Sequence, residues 1–95
     1  MASFRDSATE ALFHGELGKS TRRIPPLIRT AAFRKLDQLN AAKELGDLRA
    51  PPGNRLEALK GKFSGRHSIR INDQWRIVFR WESGDAQDVE IVDYH

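Results

Sequence analysis

Residues 74–81 read QWRIVFRW, and the fold turns on how that stretch is read. Trp75, Ile77, Phe79 and Trp81 alternate with Arg76, Val78 and Arg80, a period of two that a β-strand satisfies by sending successive side chains to opposite faces. One face is apolar and the other carries two arginines with Val78 between them. Working outward, SGRHSIRI (64–71) alternates in the same way, with Ile69 and Ile71 opposed to Ser68 and Arg70. DVEIVDY (88–94) places Val89, Ile91 and Asp93 on one face and Glu90, Val92 and Tyr94 on the other. LEALK (56–60) reads as a further short strand. Turns are expected at 61–65, at Asn72-Asp73 and at 83–86. The Asn72-Asp73 pair is expected to supply the two positive φ values of a tight hairpin. Successive strands joined by short turns predict a mainly antiparallel sheet.

The period changes upstream. Ser3 to Arg5 is a short strand candidate, followed by a helix in which Ala8, Ala11 and Leu12 face inward and Asp6 or Ser7 supplies the cap. GELGKSTRRIPP (15–26) is a basic connector. Pro25-Pro26 opens a longer helix, because proline lacks only an amide that the first turn would leave unpaired anyway. Its inward stripe is Ile28, Ala32, Leu36 and Leu39, and it is expected to run to about Lys43. Pro51-Pro52-Gly53-Asn54 is irregular. The expected architecture is α+β: two N-terminal helices packed on one face of a twisted, mainly antiparallel sheet, with Ile28, Leu36, Leu39, Ile69, Ile71, Ile77, Phe79 and Ile91 in or near the core.

A length of 95 residues predicts one domain, spanning 1–95. The absence of cysteine removes disulfides and zinc–thiolate sites and suits a reducing compartment. Charges interrupt ASFRDSATEAL where a signal peptide needs its apolar run, and no segment reaches the roughly 20 apolar residues of a membrane span. The expectation is a cytoplasmic protein without a membrane partner. Sixteen Lys and Arg against 13 Asp and Glu give a net charge of only +3, but the distribution is uneven. Basic residues crowd the first third and continue across the middle as far as Arg80, whereas Glu82, Asp85, Asp88, Glu90 and Asp93 gather at the end. A basic face suits a polyanion, since its contacts to phosphates release condensed counterions.

No glycine-rich phosphate loop, HExxH motif or serine nucleophile elbow is present, and His14 and His67 have no neighbouring ligand residues. No cofactor and no metal site are expected. What recurs is a cation near or on each strand, Lys60, Arg70 and Arg76, followed by Tyr94-His95. Whether these converge depends on strand register, and each alone also suits an ordinary solvated surface. Together they could run RNA cleavage through the ribose 2′-OH, with a base to take its proton, cations to stabilise the phosphorane-like transition state and an acid for the departing 5′ oxygen. His95 could be acid or base, Lys60 a cation or a base, and the arginines a phosphate clamp. Tyr94 could stack on a splayed base.

PPGNRLEALKGKFSGRHSIRINDQWRIVFRW (51–81), followed by DVEIVDYH (88–95), resembles the HigB branch of the RelE-like toxins. The likeness extends to SFRDSATEALF and DLRAPPGNR. The resemblance implies the RelE-like fold and a ribosome-dependent mRNA interferase that enters the aminoacyl site of the 70S ribosome and cuts the exposed codon. It carries over to Lys60 in LKG, Arg76 in QWRI, and Asp93, Tyr94 and His95, with Arg70 offered by SIRIN. It implies a helix-turn-helix antitoxin of the HigA type, through which alone operator DNA would be bound. The helix bearing Arg29, Arg34 and Lys35 lacks the layout of a DNA-reading head itself. The competing class is a nuclease-inactive module acting by occlusion or in transcriptional autoregulation.

Overall fold

The computed structural model describes residues 1–16 and 18–94. Among them, helices α1 (Ser7–Phe13) and α2 (Pro26–Ala41) precede strands β1 (Glu57–Ala58), β2 (His67–Arg70), β3 (Trp75–Glu82) and β4 (Asp85–Asp93). The sheet has the order β1-β2-β3-β4 with every neighbouring pair antiparallel. Ile69 lies opposite Ile77, and Ile77 opposite Ile91, so one apolar row crosses three strands. Those residues and Phe79 are fully buried, with Trp75 nearly so, whereas Ile71 and Trp81 are half-buried against the core. The alternation in residues 74–81 therefore assigns faces as the sequence predicts.

The helices cover the apolar face. Pro26 stands in the first turn of α2, and Ile28, Ala32, Leu36 and Leu39 are its buried stripe. Burying an Ile or Leu side chain stabilises by about 1.5–3 kcal/mol. α2 stops at Ala41 rather than near Lys43. Ala42 turns extended, and the amides of Lys43 and Glu44, unable to continue the helix, donate to the Asp47 carboxylate at 3.0 and 3.1 Å. Asp6 occupies the cap position of α1, but its side chain does not cap the helix. Its carboxylate instead accepts from Arg23 Nε at 2.9 Å, a charge-assisted bond stronger than a neutral cap contact.

Four strand ends and turns also depart from the sequence reading. β1 is shorter than 56–60, because Lys60 leads into a 3-10 turn at Gly61–Phe63. β2 starts at His67, since Gly65 takes φ 86° and breaks the extended run. Asn72 and Asp73 do not adopt positive φ. The Asn72 side-chain oxygen accepts from the amides of Gln74 at 2.9 Å and Trp75 at 2.7 Å, which closes a wider turn. The tight hairpin is the next one, where Ser83 (φ 55°) and Gly84 (φ 74°) join β3 to a β4 that begins at Asp85, upstream of residue 88.

β4 carries a bulge. Val78 pairs with Glu90 and Arg80 with Gln87, so Phe79 faces both Asp88 and Val89. Asp88 adopts φ 51° there and accepts from Arg80 Nε at 2.9 Å. The outer edge of β4 is closed by the chain's beginning. Phe4 bridges Val89 in parallel, with Arg5 N donating to Val89 O at 2.9 Å and Val89 N to Ser3 O at 3.1 Å. The expected strand at Ser3 to Arg5 is thus a single parallel bridge. Beyond it, Thr9 of α1 takes over, its buried hydroxyl accepting from Ile91 N at 3.0 Å.

Two measurements check this account. Thr9→Val keeps the shape but leaves the buried Ile91 amide unpaired, so urea denaturation should show a loss of about 1–3 kcal/mol, with Thr9→Ser nearer wild type. The Arg80 hydrogen bond holds the Asp88 carboxyl below the usual carboxylate range. A depressed folded pKa means stabilisation that is complete above the unfolded value of about 4 and is lost as pH falls through the lower folded value. Thermal unfolding followed from pH 7 to pH 2 should show Asp88→Asn with a lower midpoint at neutral pH and a shallower acid decline.

Candidate active site

The register that aligns the apolar row also decides what stands on the other face. Arg70 lies directly opposite Arg76, Arg76 opposite Val92, Ser68 opposite Val78, and Glu57 opposite Ser68. Two like charges opposed across neighbouring strands repel unless something draws them apart. Arg70 turns to the Asp73 carboxylate in the following turn. Arg76 turns the other way, its Nη1 lying 2.8 Å from Glu57 Oε1 and donating to Ser68 Oγ at 3.2 Å.

Arg76 also lies over the ring of Tyr94, its guanidinium carbon 5.1 Å from the centroid, a cation–π contact. Tyr94 follows the last residue of β4 but is not loose, since its amide donates to Gln74 O at 2.7 Å and prolongs the ladder by one bond. Phe63, from the turn after β1, stands 6.3 Å from the Tyr94 ring, and the Lys62 ammonium lies 5.4 Å from the Phe63 ring. Lys62, Phe63, Val92, Asp93 and Tyr94 line an open groove of about 280 Å³. Elsewhere on this face Glu90 is held by Arg66 at 3.4 Å and by Arg5 at 3.7 Å.

Of the residues singled out from sequence, Arg76 and Tyr94 meet, and Arg70 is their backbone neighbour with its head group turned to Asp73. Lys60 is exposed at the start of the 3-10 turn that carries Phe63, and among the described residues its ammonium joins no hydrogen bond or ion pair. Asp93 pairs with Trp75, so strand alternation directs it away from Arg76. It accepts from Gln74 Nε2 at 3.0 Å. His95 lies outside the described residues. Sequence reasoning missed Glu57 and Phe63. Glu57 had no assignable face without the register of β1, and Phe63 was hidden in GKFSG, a stretch that reads only as a turn. Ser68 had a signal, its parity with Arg70. Among the described residues no three His, Asp or Glu side chains gather as metal ligands, and no helix is long and apolar enough to cross a membrane.

A small antiparallel sheet backed by two helices is a fold shared with a chain of the YoeB–YefM complex from Staphylococcus aureus. The match has a TM-score of 0.60, 17% identity, and coverage of 98% of this chain and 93% of that one. The family model for HigB-like toxins, described as the RelE-like toxin of the type II toxin–antitoxin system HigB, matches residues 2–95. Toxin HigB-1 of Vibrio cholerae is 46% identical over 83 residues, covering 87% of this chain and 85% of the relative. Endoribonuclease HigB of Proteus vulgaris is 36% identical over 61 residues, 64% of this chain and 65% of its own length. The chain belongs to the HigB-like toxins, a RelE-like family of type II toxin–antitoxin systems, and membership of such a system implies an antitoxin as partner.

Tyr94 is the one tyrosine in the chain, so its ring gives a single NMR signal set. Arg76→Ala should move that set clearly by removing the overlying guanidinium, while Arg70→Ala should leave it nearly in place. Equal shifts in the two variants would contradict the contact.

Proposed function

We propose that this toxin is an endoribonuclease that cuts mRNA in the aminoacyl site of a translating 70S ribosome, by metal-independent attack of the ribose 2′-OH on the adjacent phosphorus. The observation that carries the reading is Arg76, fixed under Tyr94 and opposite Arg70 on the open face of the sheet. A forked guanidinium matches two phosphate oxygens, and it stabilises the charge that develops on them as the 2′ oxygen attacks. Arg70, released from exposed Asp73, completes the clamp. The 2′-OH proton passes to a base as the new bond forms, and the departing 5′ oxygen takes a proton from an acid. Lys60 and His95 are the groups assigned to these transfers, with imidazole suited to either because it titrates near neutrality. Tyr94 stacks on or orients the exposed base, and Asp93, tied to Gln74, steadies the strand end that presents Tyr94.

The ribosome supplies what the groove does not. A shallow face has little with which to hold a nucleotide in line for attack, and a codon already ordered by the ribosome removes much of that entropic cost. The name of the Proteus vulgaris relative, Endoribonuclease HigB, agrees with the chemistry. The antitoxin in this reading is a helix-turn-helix protein of the HigA type, which binds operator DNA while the toxin contacts DNA only through it, and the site of action is the cytoplasm.

Single-turnover cleavage of ribosome-bound message tests the proposal, with circular dichroism confirming folding. Arg76→Ala, Lys60→Ala and a chain ending at Tyr94 should each cut about 10²-fold or more slowly than wild type, whereas Lys19→Ala should cut nearly as well. Free RNA should be cut slowly or not at all. Folded toxin that arrests translation without producing discrete cuts would favour occlusion by an inactive module. Equal rates on free and ribosome-bound RNA would refute the positioning argument.

A further inference from the structure

Glu57 is an acidic residue set against the arginine on which the proposed clamp depends, and by charge alone it should oppose phosphate binding. Its placement argues for a different part. β1 pairs Glu57 directly with Ser68, and Ser68 is the diagonal neighbour of Arg76 across β2 and β3. Glu57 Oε1 and Ser68 Oγ both address the same nitrogen, Nη1, at 2.8 and 3.2 Å. Ser68 is fully buried and the Arg76 side chain is 17% exposed, whereas the Glu57 side chain is 48% exposed, so the Ser68 contact is the better shielded of the two. A guanidinium has five N–H donors in a rigid plane. Both contacts fall on Nη1, an ion pair with Glu57 and a hydrogen bond to Ser68, and among the described residues the Arg76 side chain makes no other hydrogen bond. The Nε and Nη2 side, the edge that matches two oxygens of a phosphate, makes no hydrogen bond among the described residues, and the guanidinium carbon stands over the Tyr94 ring.

We propose that Glu57 and Ser68 are positioning residues: they grip Arg76 by Nη1 and so aim its Nε and Nη2 edge at the scissile phosphate. Glu57 acts here as an anionic anchor, its carboxylate held beside Nη1 by the pairing of β1 with β2. The inference rests on the reading of Arg76 as the phosphate clamp. It goes further by assigning work to two side chains outside the reacting groups, one of them of the sign that a phosphate site would be expected to exclude.

The two roles of Glu57 predict opposite results. Single-turnover rates at saturating toxin, and affinity for ribosomes carrying 2′-O-methylated message, would be measured for Glu57→Gln, Glu57→Ala, Ser68→Ala, Arg76→Ala and the double variant Glu57→Ala/Arg76→Ala. Positioning through the ion pair predicts that Glu57→Gln, which keeps the shape and loses the charge, slows cleavage about as much as Glu57→Ala. Glu57→Ala and Ser68→Ala should each slow cleavage about 10-fold with affinity changed less than 2-fold, and the double variant should be no slower than Arg76→Ala. A Glu57→Ala protein that cuts as fast as wild type, or faster, overturns the inference, as does a double variant slower than Arg76→Ala by the full Glu57→Ala factor. If Arg76→Ala itself cuts at the wild-type rate, the clamp reading falls first and this inference falls with it. That outcome is distinguishable because it appears in the Arg76 single variant.

Discussion

The row Ile69–Ile77–Ile91 is the constraint on which the rest of this structure depends. Side chains alternate with a period of two, so sliding β2 or β4 by one residue against β3 would carry an isoleucine from beneath the helices onto the open face. The burial of these side chains selects one register out of several that the backbone hydrogen bonds would accept equally well. That register then sets Arg70 against Arg76 and brings Val92 beside Arg76. The site is in this sense the reverse side of the core.

The cost of that arrangement is visible in the charges. Two arginines face each other across one strand pair, and the protein keeps them apart with anchors of unequal quality. Asp73 is almost wholly exposed, at 96% of its side chain, and lies in a turn, so its hold on Arg70 is weak and screened by salt. Arg76 is held by Glu57, buried Ser68 and the Tyr94 ring. One arginine is therefore a fixed fitting and the other a movable one. Under the proposed reading of this face as a phosphate site, Asp73 is far easier to displace than the group around Arg76.

The far edge of the sheet is managed differently. β4 is bordered by Ser3 to Arg5 in parallel and then by the Thr9 hydroxyl, so its outward amides at Val89 and Ile91 are satisfied instead of open to pairing with another chain. The bulge at Asp88 belongs to the same device. It places an extra residue in β4, whose amide donates to Ser3 Oγ at 2.8 Å and whose carboxylate reaches Arg80. Through α1 and β4, the beginning of the chain is coupled to the strand that presents Tyr94.

Periodicity alone determined the strand faces of residues 75–81, the inward stripe of α2 and the α+β layering, because solvent exclusion acts on each element separately and leaves its mark in local spacing. The likeness of residues 51–81 and 88–95 carried the family. Boundaries were less legible: α2 stopped short, β1 shrank to Glu57–Ala58, and the positive φ values fell at Ser83-Gly84 rather than Asn72-Asp73. Each of those was settled by a hydrogen bond or a backbone angle that composition does not encode. Arg76 and Tyr94 could be named from sequence, yet that they touch, that Asp93 is directed away from Arg76, and that Glu57 and Phe63 belong beside them were decided only by tertiary structure. Eighteen residues separate Arg76 from Tyr94 and nineteen separate it from Glu57. Contacts over such distances exist only once the register is chosen, and the register is chosen by the shared core on the opposite face.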